Sequence, residues 1–373
     1  MLIKDLLINN ASEKVKSNTK PYIEIGDINI TTKEYTLKEK GSVAGAKYAY
    51  KNSILVSTVR PTRGAITIVK EDKIAVSSAF AIIEPNENIC NYKYIFYYLN
   101  KIDFLEYLGS RSKGATYPTC SKDDIYNYEI DLPSLEIQNK VVKLFDTIKE
   151  SIHIKNKQLF GFDNLIKSQF IEMFGNPVFN DKGFKKFKLF DKCDIVTGNT
   201  PSRKIDEYYG DFIEWIKSDN ISDNSTYLTL AKESLSEKGL EVGRYVDKGC
   251  ILMTCIAGSL NSIGNVAITD KKVSFNQQIN GIIPRENDVY FMYEQFVLSK
   301  EYLHSPVNMA LKGILSKNQL GNLEFIFPPI ELQEQFGTFF KQVDKQKFVY
   351  FIKAKNYHIY AIYANILIEK SFH

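Results

Sequence analysis

The stretch FPPIELQEQ (Phe327–Gln335) has a counterpart about 195 residues earlier, LPSLEIQNK (Leu132–Lys140). Each closes an apolar, strand-like run, places proline, and then opens a long helical pattern with Glu and Gln. Proline suits the first turn of a helix, where a missing N–H costs no hydrogen bond. Self-similarity at a fixed offset decides architecture before any local pattern does.

The echo extends over most of the sequence. YKNSILVSTV (Tyr50–Val59) returns as DKGCILMTCI (Asp247–Ile256), and SSAFAIIEP (Ser77–Pro85) as NQQINGIIP (Asn276–Pro284). SKDDIYNYEIDLP (Ser121–Pro133) returns as SKNQLGNLEFIFP (Ser316–Pro328), and YIEIGDI (Tyr22–Ile28) is echoed by FIEWIKSDNI (Phe212–Ile221). Order and offset are kept, which a duplication explains. The repeated unit is a globule followed by a helix. In the globule, β-branched runs at 54–59, 65–69, 251–256 and 265–268 sit between Gly, Asn and Pro signals and read as strands. YKYIFYYLNKIDFLEYL reads as short helices, so each globule is mixed α/β.

The two long segments read as helices. After Pro133, apolar residues fall at Val141, Phe145, Ile148, Ile152, Leu159, Phe162, Ile166, Phe170 and Met173, in steps of three and four broken only near Lys155. After Pro328 they fall at Leu332, Phe336, Phe340 and Val343, then at Ile352, Ile359 and Ile366, with Ile362 between. This is coiled-coil spacing. Roughly 40 residues at 1.5 Å each give about 60 Å, more than the width of a small domain. Two such helices, one per repeat, are expected to pack antiparallel as a spacer between two globular ends.

Bulk composition sets the outer bounds. The chain has 373 residues, 44% hydrophobic and 25% charged, which suits two ordinary globular cores. A net charge of +4 permits an anionic partner without requiring one. The five cysteines (Cys90, Cys120, Cys193, Cys250 and Cys255) form no C-x-x-C pair, and their odd number argues against a disulfide framework. The opening MLIKDLLINNASEK lacks the apolar core of a signal peptide, and no run approaches a membrane span. A cytoplasmic location in a reducing environment is expected.

The helix openings Pro133–Ser134–Leu135–Glu136–Ile137–Gln138 and Pro329–Ile330–Glu331–Leu332–Gln333 resemble the P-L-x-E-Q element of type I restriction–modification specificity subunits. VTGNTPSRKIDEYYGDFIEWIKSDNI (Val196–Ile221) is similar to the G-x-T-P-S opening of a target recognition domain in that family, and KGATYPTCSKDDIYNYEIDLP (Lys113–Pro133) to such a domain's closing segment. The first globule departs from this pattern, with LLINNASEKVKSN in place of G-x-T-P-S. The second departs with KGILSKNQL in place of KGATYPTCSKDDI.

The resemblance implies an α+β fold with two pseudo-repeated recognition domains separated by two long antiparallel helices. The expected divisions are 1–132 for the first recognition domain, 133–175 for the central spacer helix, 176–328 for the second domain and 329–373 for the C-terminal helix. It also implies a reader of double-stranded DNA with a bipartite target, one half per domain. Two modification subunits would dock on the helices and carry out S-adenosylmethionine-dependent adenine methylation. Restriction subunits, which use ATP and Mg, would supply cleavage. No cofactor and no metal are expected on this chain.

The motifs that approach catalytic patterns also fit a non-catalytic role. Asn176–Pro177–Val178–Phe179 approaches a methyltransferase N-P-P-[YF] motif, but it ends a long helix and has no G-x-G-x-x-G upstream, so a helix stop is expected. G-N-T-P-S-R-K is not a phosphate-binding Walker loop. The histidines at 153, 304, 358 and 373 have no zinc-site spacing. Two alternatives stay open: a coiled-coil adaptor that binds no DNA, and a chain fusing recognition with methyltransferase activity.

The residues expected to meet DNA are those able to neutralise phosphate or read base edges. In the first globule these are Arg60 and Arg63 in STVRPTRGA, and Lys113 and Tyr117 in SRSKGATYP. In the second they are Ser202, Arg203 and Lys204; Lys217, Ser218 and Asn220; the amide cluster Asn276, Gln277 and Gln278; and Lys312. Arginine suits guanine O6 and N7, and Asn or Gln suits adenine. On the helices, Leu135, Phe145, Ile152, Phe336, Ile352 and Ile359 are the expected contacts to partner subunits.

Overall fold

The repeated apolar runs become strands in matching register. The computed structural model describes residues 1–8, 15, 21–39, 45–222, 225–307, 309 and 313–370, with side chains as far as Tyr350. Two units result, one of Met1–Ile152 with Tyr357–His373 and one of His153–Asn356, and the division falls inside both long helices.

In the first unit, strand Ile54–Ser57 lies between Ile66–Ile68 and Phe80–Ile83, with Ile54 opposite both Ile68 and Ile83. In the second, Ile251–Thr254 lies between Val266–Ile268 and Ile279–Pro284, with Ile251 opposite Ile268 and Ile282. Successive side chains of a strand point to opposite faces. Ile54 and Val56 accordingly enter one apolar cluster and Leu55 another. The second unit repeats this, with Ile251 and Met253 on one side and Leu252 on the other. Burial on both faces explains why these runs are continuously apolar and do not alternate with polar residues.

A second sheet is also built twice. Tyr22–Ile23 pairs in parallel with Lys73–Val76, which pairs antiparallel with Lys47–Tyr50. Ile213–Ile216, Val273–Phe275 and Tyr245–Val246 repeat that order in the second unit. The SKDD and SKNQ echoes are capping boxes. Ser121 Oγ accepts from Asp124 N at 3.0 Å and Asp124 accepts back from Ser121 N at 2.8 Å; Ser316 and Gln319 do the same at 3.2 and 2.9 Å.

The opening motif has a physical purpose in its glutamine. Gln138 and Gln333 are both buried, at 0% and 2% exposure. Gln138 Nε2 donates to Pro133 O at 2.8 Å and to Ile89 O at 3.3 Å, while its Oε1 accepts from Asn91 N at 2.8 Å. Asn91 is the N-cap of helix Tyr92–Leu99. In the second unit, Gln333 Nε2 donates to Pro328 O at 2.8 Å and to Asn287 Oδ1 at 3.3 Å, and its Oε1 accepts from Asp288 N at 3.2 Å. Asp288 is the N-cap of helix Val289–Leu298. Each long helix is therefore fastened at its first turn to the N-terminus of a helix in the globule that precedes it.

The central helix runs over Leu135–Phe174 and the C-terminal helix over Ile330–Lys370. Within the second unit they run antiparallel. Phe170 meets Phe336 at 5.3 Å between ring centroids, Phe162 meets Tyr350 at 5.4 Å, and Lys347 donates to Asp163 at 2.5 Å. As positions fall along one helix, their partners rise along the other. The same ends are also part of the globular core: Ile166, Phe170, Phe174, Phe336, Phe340 and Val343 share a cluster with Phe291 and Phe296. The apolar stripe thus serves both the helix pair and the globule. The central helix stops at Gly175, whose backbone is left-handed, and Asn176 Oδ1 then accepts from Val178 N and Phe179 N at 2.9 and 3.1 Å. NPVF is that turn.

All five cysteines are buried and free, and burial pushes the Cys193 and Cys255 thiols up to about 12. No described helix is long and apolar enough to cross a membrane. Replacing the clamp residue tests its role: Gln138→Leu or Gln333→Leu leaves a buried N–H without an acceptor. Either is expected to destabilise its unit by about 2 kcal/mol in denaturant unfolding. A neutral effect would contradict the clamp.

Candidate nucleic-acid interface

In the first unit, two loops that are distant in sequence meet through an antiparallel bridge between Val59 and Thr119. Arg60 sits in the left-handed region (φ +46°, ψ +52°), uncommon for a side chain of this kind. Its N–H donates to Pro118 O at 2.7 Å and its Nη2 to Thr116 O at 3.2 Å. The guanidinium then lies 4.2 Å from the centre of the Tyr117 ring, which is itself 64% exposed. Arginine over an aromatic face is held by the ring quadrupole while its edge stays open to a ligand. Lys113 exchanges backbone hydrogen bonds with Thr119 at 2.9 Å each way, and its exposed side chain projects from the same loop. Arg63, also exposed, ends the turn that Arg60 begins. The four expected residues of this unit therefore occupy one surface.

The second unit uses the same frame and different cations. Strand Ile256–Ala257 pairs with Gly313–Ile314, in place of the Val59–Thr119 bridge, and carries no arginine. The charge lies instead on the GNTPSRK loop. Gly198 starts that loop against the backbone of the NQQ turn, where an added Cβ would lie 2.2 Å from Asn276 O and 2.4 Å from Phe275 O. Asn199 pins the loop by accepting from Arg244 N and donating to Val242 O, both at 2.8 Å. Thr200 then hydrogen-bonds Gln277.

Arg203 is held over two rings, 4.4 Å from Tyr209 and 5.0 Å from Trp215, and Lys217 lies 5.1 Å from Trp215. Glu233 joins them, accepting from Arg203 Nη2 at 2.6 Å and from Lys217 Nζ. The two cations hold its carboxyl below the usual carboxylate range, Lys217 contributing most. Glu233, Tyr209 and Trp215 were not among the residues expected from sequence. The only tryptophan of the chain beside a G-x-T-P-S loop was the available signal.

Other expected residues face inward. Asn220 is buried; its Oδ1 accepts from Lys217 N and its Nδ2 donates to Leu230 O, both at 3.0 Å. Asn276 is buried and bonded to Gln278, through the Gln278 N–H at 3.0 Å and the side-chain amide at 3.2 Å. These amides shape turns, and of their trio only Gln277 is exposed. Ser202 and Lys204 are exposed and Ser218 is half-buried, while Lys312 lies outside the described residues.

On the helices, Phe336 is fully buried in the core of its own unit, and Phe145 stacks on Tyr97 at 4.8 Å. Leu135 and Ile152 are half-buried, and the side chains of Ile352 and Ile359 lie outside the described residues. The exposed apolar side chains of the two helices instead include Leu144, Ile154, Phe160 and Phe348. Among the described residues, no three His, Cys, Asp or Glu side chains converge in a way that could hold a metal ion.

Trp215, 3% exposed, donates Nε1–H to Asn199 O at 3.3 Å, so its fluorescence reports on the loop. Gly198→Ala is expected to lift the loop and red-shift the emission. An unchanged spectrum would mean that the close approach is not required.

Residues 3–159 and 181–356 each match the family model described as type I restriction modification DNA specificity domain. The type I restriction enzyme HindI specificity subunit of Haemophilus influenzae is 24% identical over 322 residues, covering 65% of this chain and 69% of that one. The MjaVIII specificity subunit of Methanocaldococcus jannaschii is 24% identical over 337 residues, covering 85% and 75%. Among solved structures, the type I restriction–modification S subunit of M. genitalium aligns with a TM-score of 0.60 at 12% identity, over 98% of this chain and 94% of that one. A chain from work on complex assembly and conformational transition of the type I R-M system aligns at 0.61 and 17%, over 100% and 97%. Two matched segments on two copies of one α+β unit place this chain in the type I restriction–modification DNA specificity family, as a specificity subunit with DNA-recognition domains.

Proposed function

We propose that each unit reads one half of a bipartite DNA target, and that the two long helices fix the gap between the halves and carry two modification subunits. The observation behind this reading is the doubled clamp. The same recognition frame is built twice, and each copy is fastened by a buried glutamine to the first turn of its own long helix. A stiff helix starting from a fixed point on its globule converts length into half-site spacing, as dimer geometry does for other DNA readers. The different cation sets on a common frame, Arg60 with Tyr117 in one unit and Arg203 with Lys217 in the other, suit two different half-site sequences.

In this reading the chain positions and does not catalyse. Methyl transfer with S-adenosylmethionine belongs to the modification subunits, and ATP- and Mg-dependent cleavage to the restriction subunits. The exposed Leu144, Ile154, Phe160 and Phe348 supply apolar helix surface for the modification subunits to cover.

Arg60→Glu and Arg63→Glu test the division of labour in duplex binding by the assembled methyltransferase complex. Reading of one half-site should relax by about tenfold or more in discrimination, which corresponds to loss of one good base contact. The other half-site should be read as before, and affinity should fall steeply with salt. Loss at both halves, or binding indifferent to salt and sequence, would favour an adaptor that does not read DNA.

A further inference from the structure

Glu233 is an unexpected charge on a surface built to meet an anion. Its two carboxylate oxygens are divided, one to Arg203 and one to Lys217, and it is only 35% exposed. Both cations also lie near the Trp215 ring, so the carboxylate is not their only partner. Its effect is on what they can bind. With Glu233 ionised, the cluster carries one net positive charge where it would carry two. A phosphate approaching Arg203 or Lys217 must come close to a fixed negative charge, and like charges brought together oppose binding. A base edge that presents an amino group meets the opposite situation. The cytosine N4 amino group donates to a carboxylate, whereas guanine O6 and N7 are acceptors that it repels.

We propose that Glu233 is a specificity-determining residue of the second recognition unit, turning the Arg203–Lys217 pair from a phosphate clamp into a reader of a base that offers an amino group in the major groove. This rests on the proposed interface, and the test separates the two. The assembled methyltransferase complex carrying parent, E233Q, E233D or R203M chain is challenged with a duplex library randomised over both half-sites. Binding to a duplex without the target is then titrated against salt.

E233Q removes the charge but keeps the shape. It should relax preference at one position of the second half-site, raise binding to the targetless duplex about fivefold, and steepen the salt slope by about one, the signature of one added phosphate contact. E233D keeps the charge, and its salt slope should stay with the parent's. R203M should weaken reading of the second half-site only. If R203M does so while E233Q leaves preference and slope unchanged, Glu233 is a surface ion pair and the inference fails. An E233D slope as steep as that of E233Q also overturns it. If R203M is silent as well, the interface itself is wrongly placed.

Discussion

The fold depends on a glutamine amide satisfied on both sides at the point where a globule becomes a helix. Gln138 and Gln333 each hold a proline carbonyl of their own helix opening and the N-cap N–H of a helix in the preceding globule. A buried amide can neither be hydrated nor left unpaired without a cost of a few kcal/mol. Its hydrogen bonds therefore restrict the angle at which the long helix departs. Around this point the packing is repeated with exchanged chemistry. Lys93 pairs with Asp146 in the first unit, whereas Lys341 lies over the Tyr290 ring in the second. Side chains diverged while the attachment was kept.

The surface chemistry follows the opposite rule. The two frames share their central strands, yet the cations moved. In the first unit a strained arginine is supported by Pro118 and Thr116 carbonyls and a tyrosine face. In the second an arginine and a lysine share a tryptophan and a glutamate. Backbone strain of this kind persists where the surroundings over-determine it, and it clusters at functional loops. A common scaffold with independently placed charges gives two units that can differ in what they read without differing in how they fold.

Much of the fold was legible in sequence because its signals are local. Strand Ile54–Ser57 lies within the apolar run that announced it, the two capping boxes sit on the SKDD and SKNQ echoes, and the helix pair follows the apolar spacing. The site was legible only in part. Arg60 and Tyr117 were each visible as loop residues, but their contact depends on the Val59–Thr119 bridge, a long-range pairing that no local pattern encodes. Asn220 and Asn276 looked like free amides because sequence does not show which polar group a turn will bury. Glu233 sits in a polar stretch, AKESLSEKGL, indistinguishable from a solvated loop until the chain folds it against Arg203. Phe336 fitted a partner-facing stripe because helical spacing does not say which of two surfaces will cover it; the globule does.

Shortening both long helices by one heptad is the most direct test of the ruler. Seven residues remove about 10 Å of helix, equivalent to about three base pairs at 3.4 Å each. Methylation mapping of the assembled complex should then return the same two half-site sequences with a gap shorter by about that amount. An unchanged gap with intact half-sites would show that the helices do not set the spacing, and the central claim would fall.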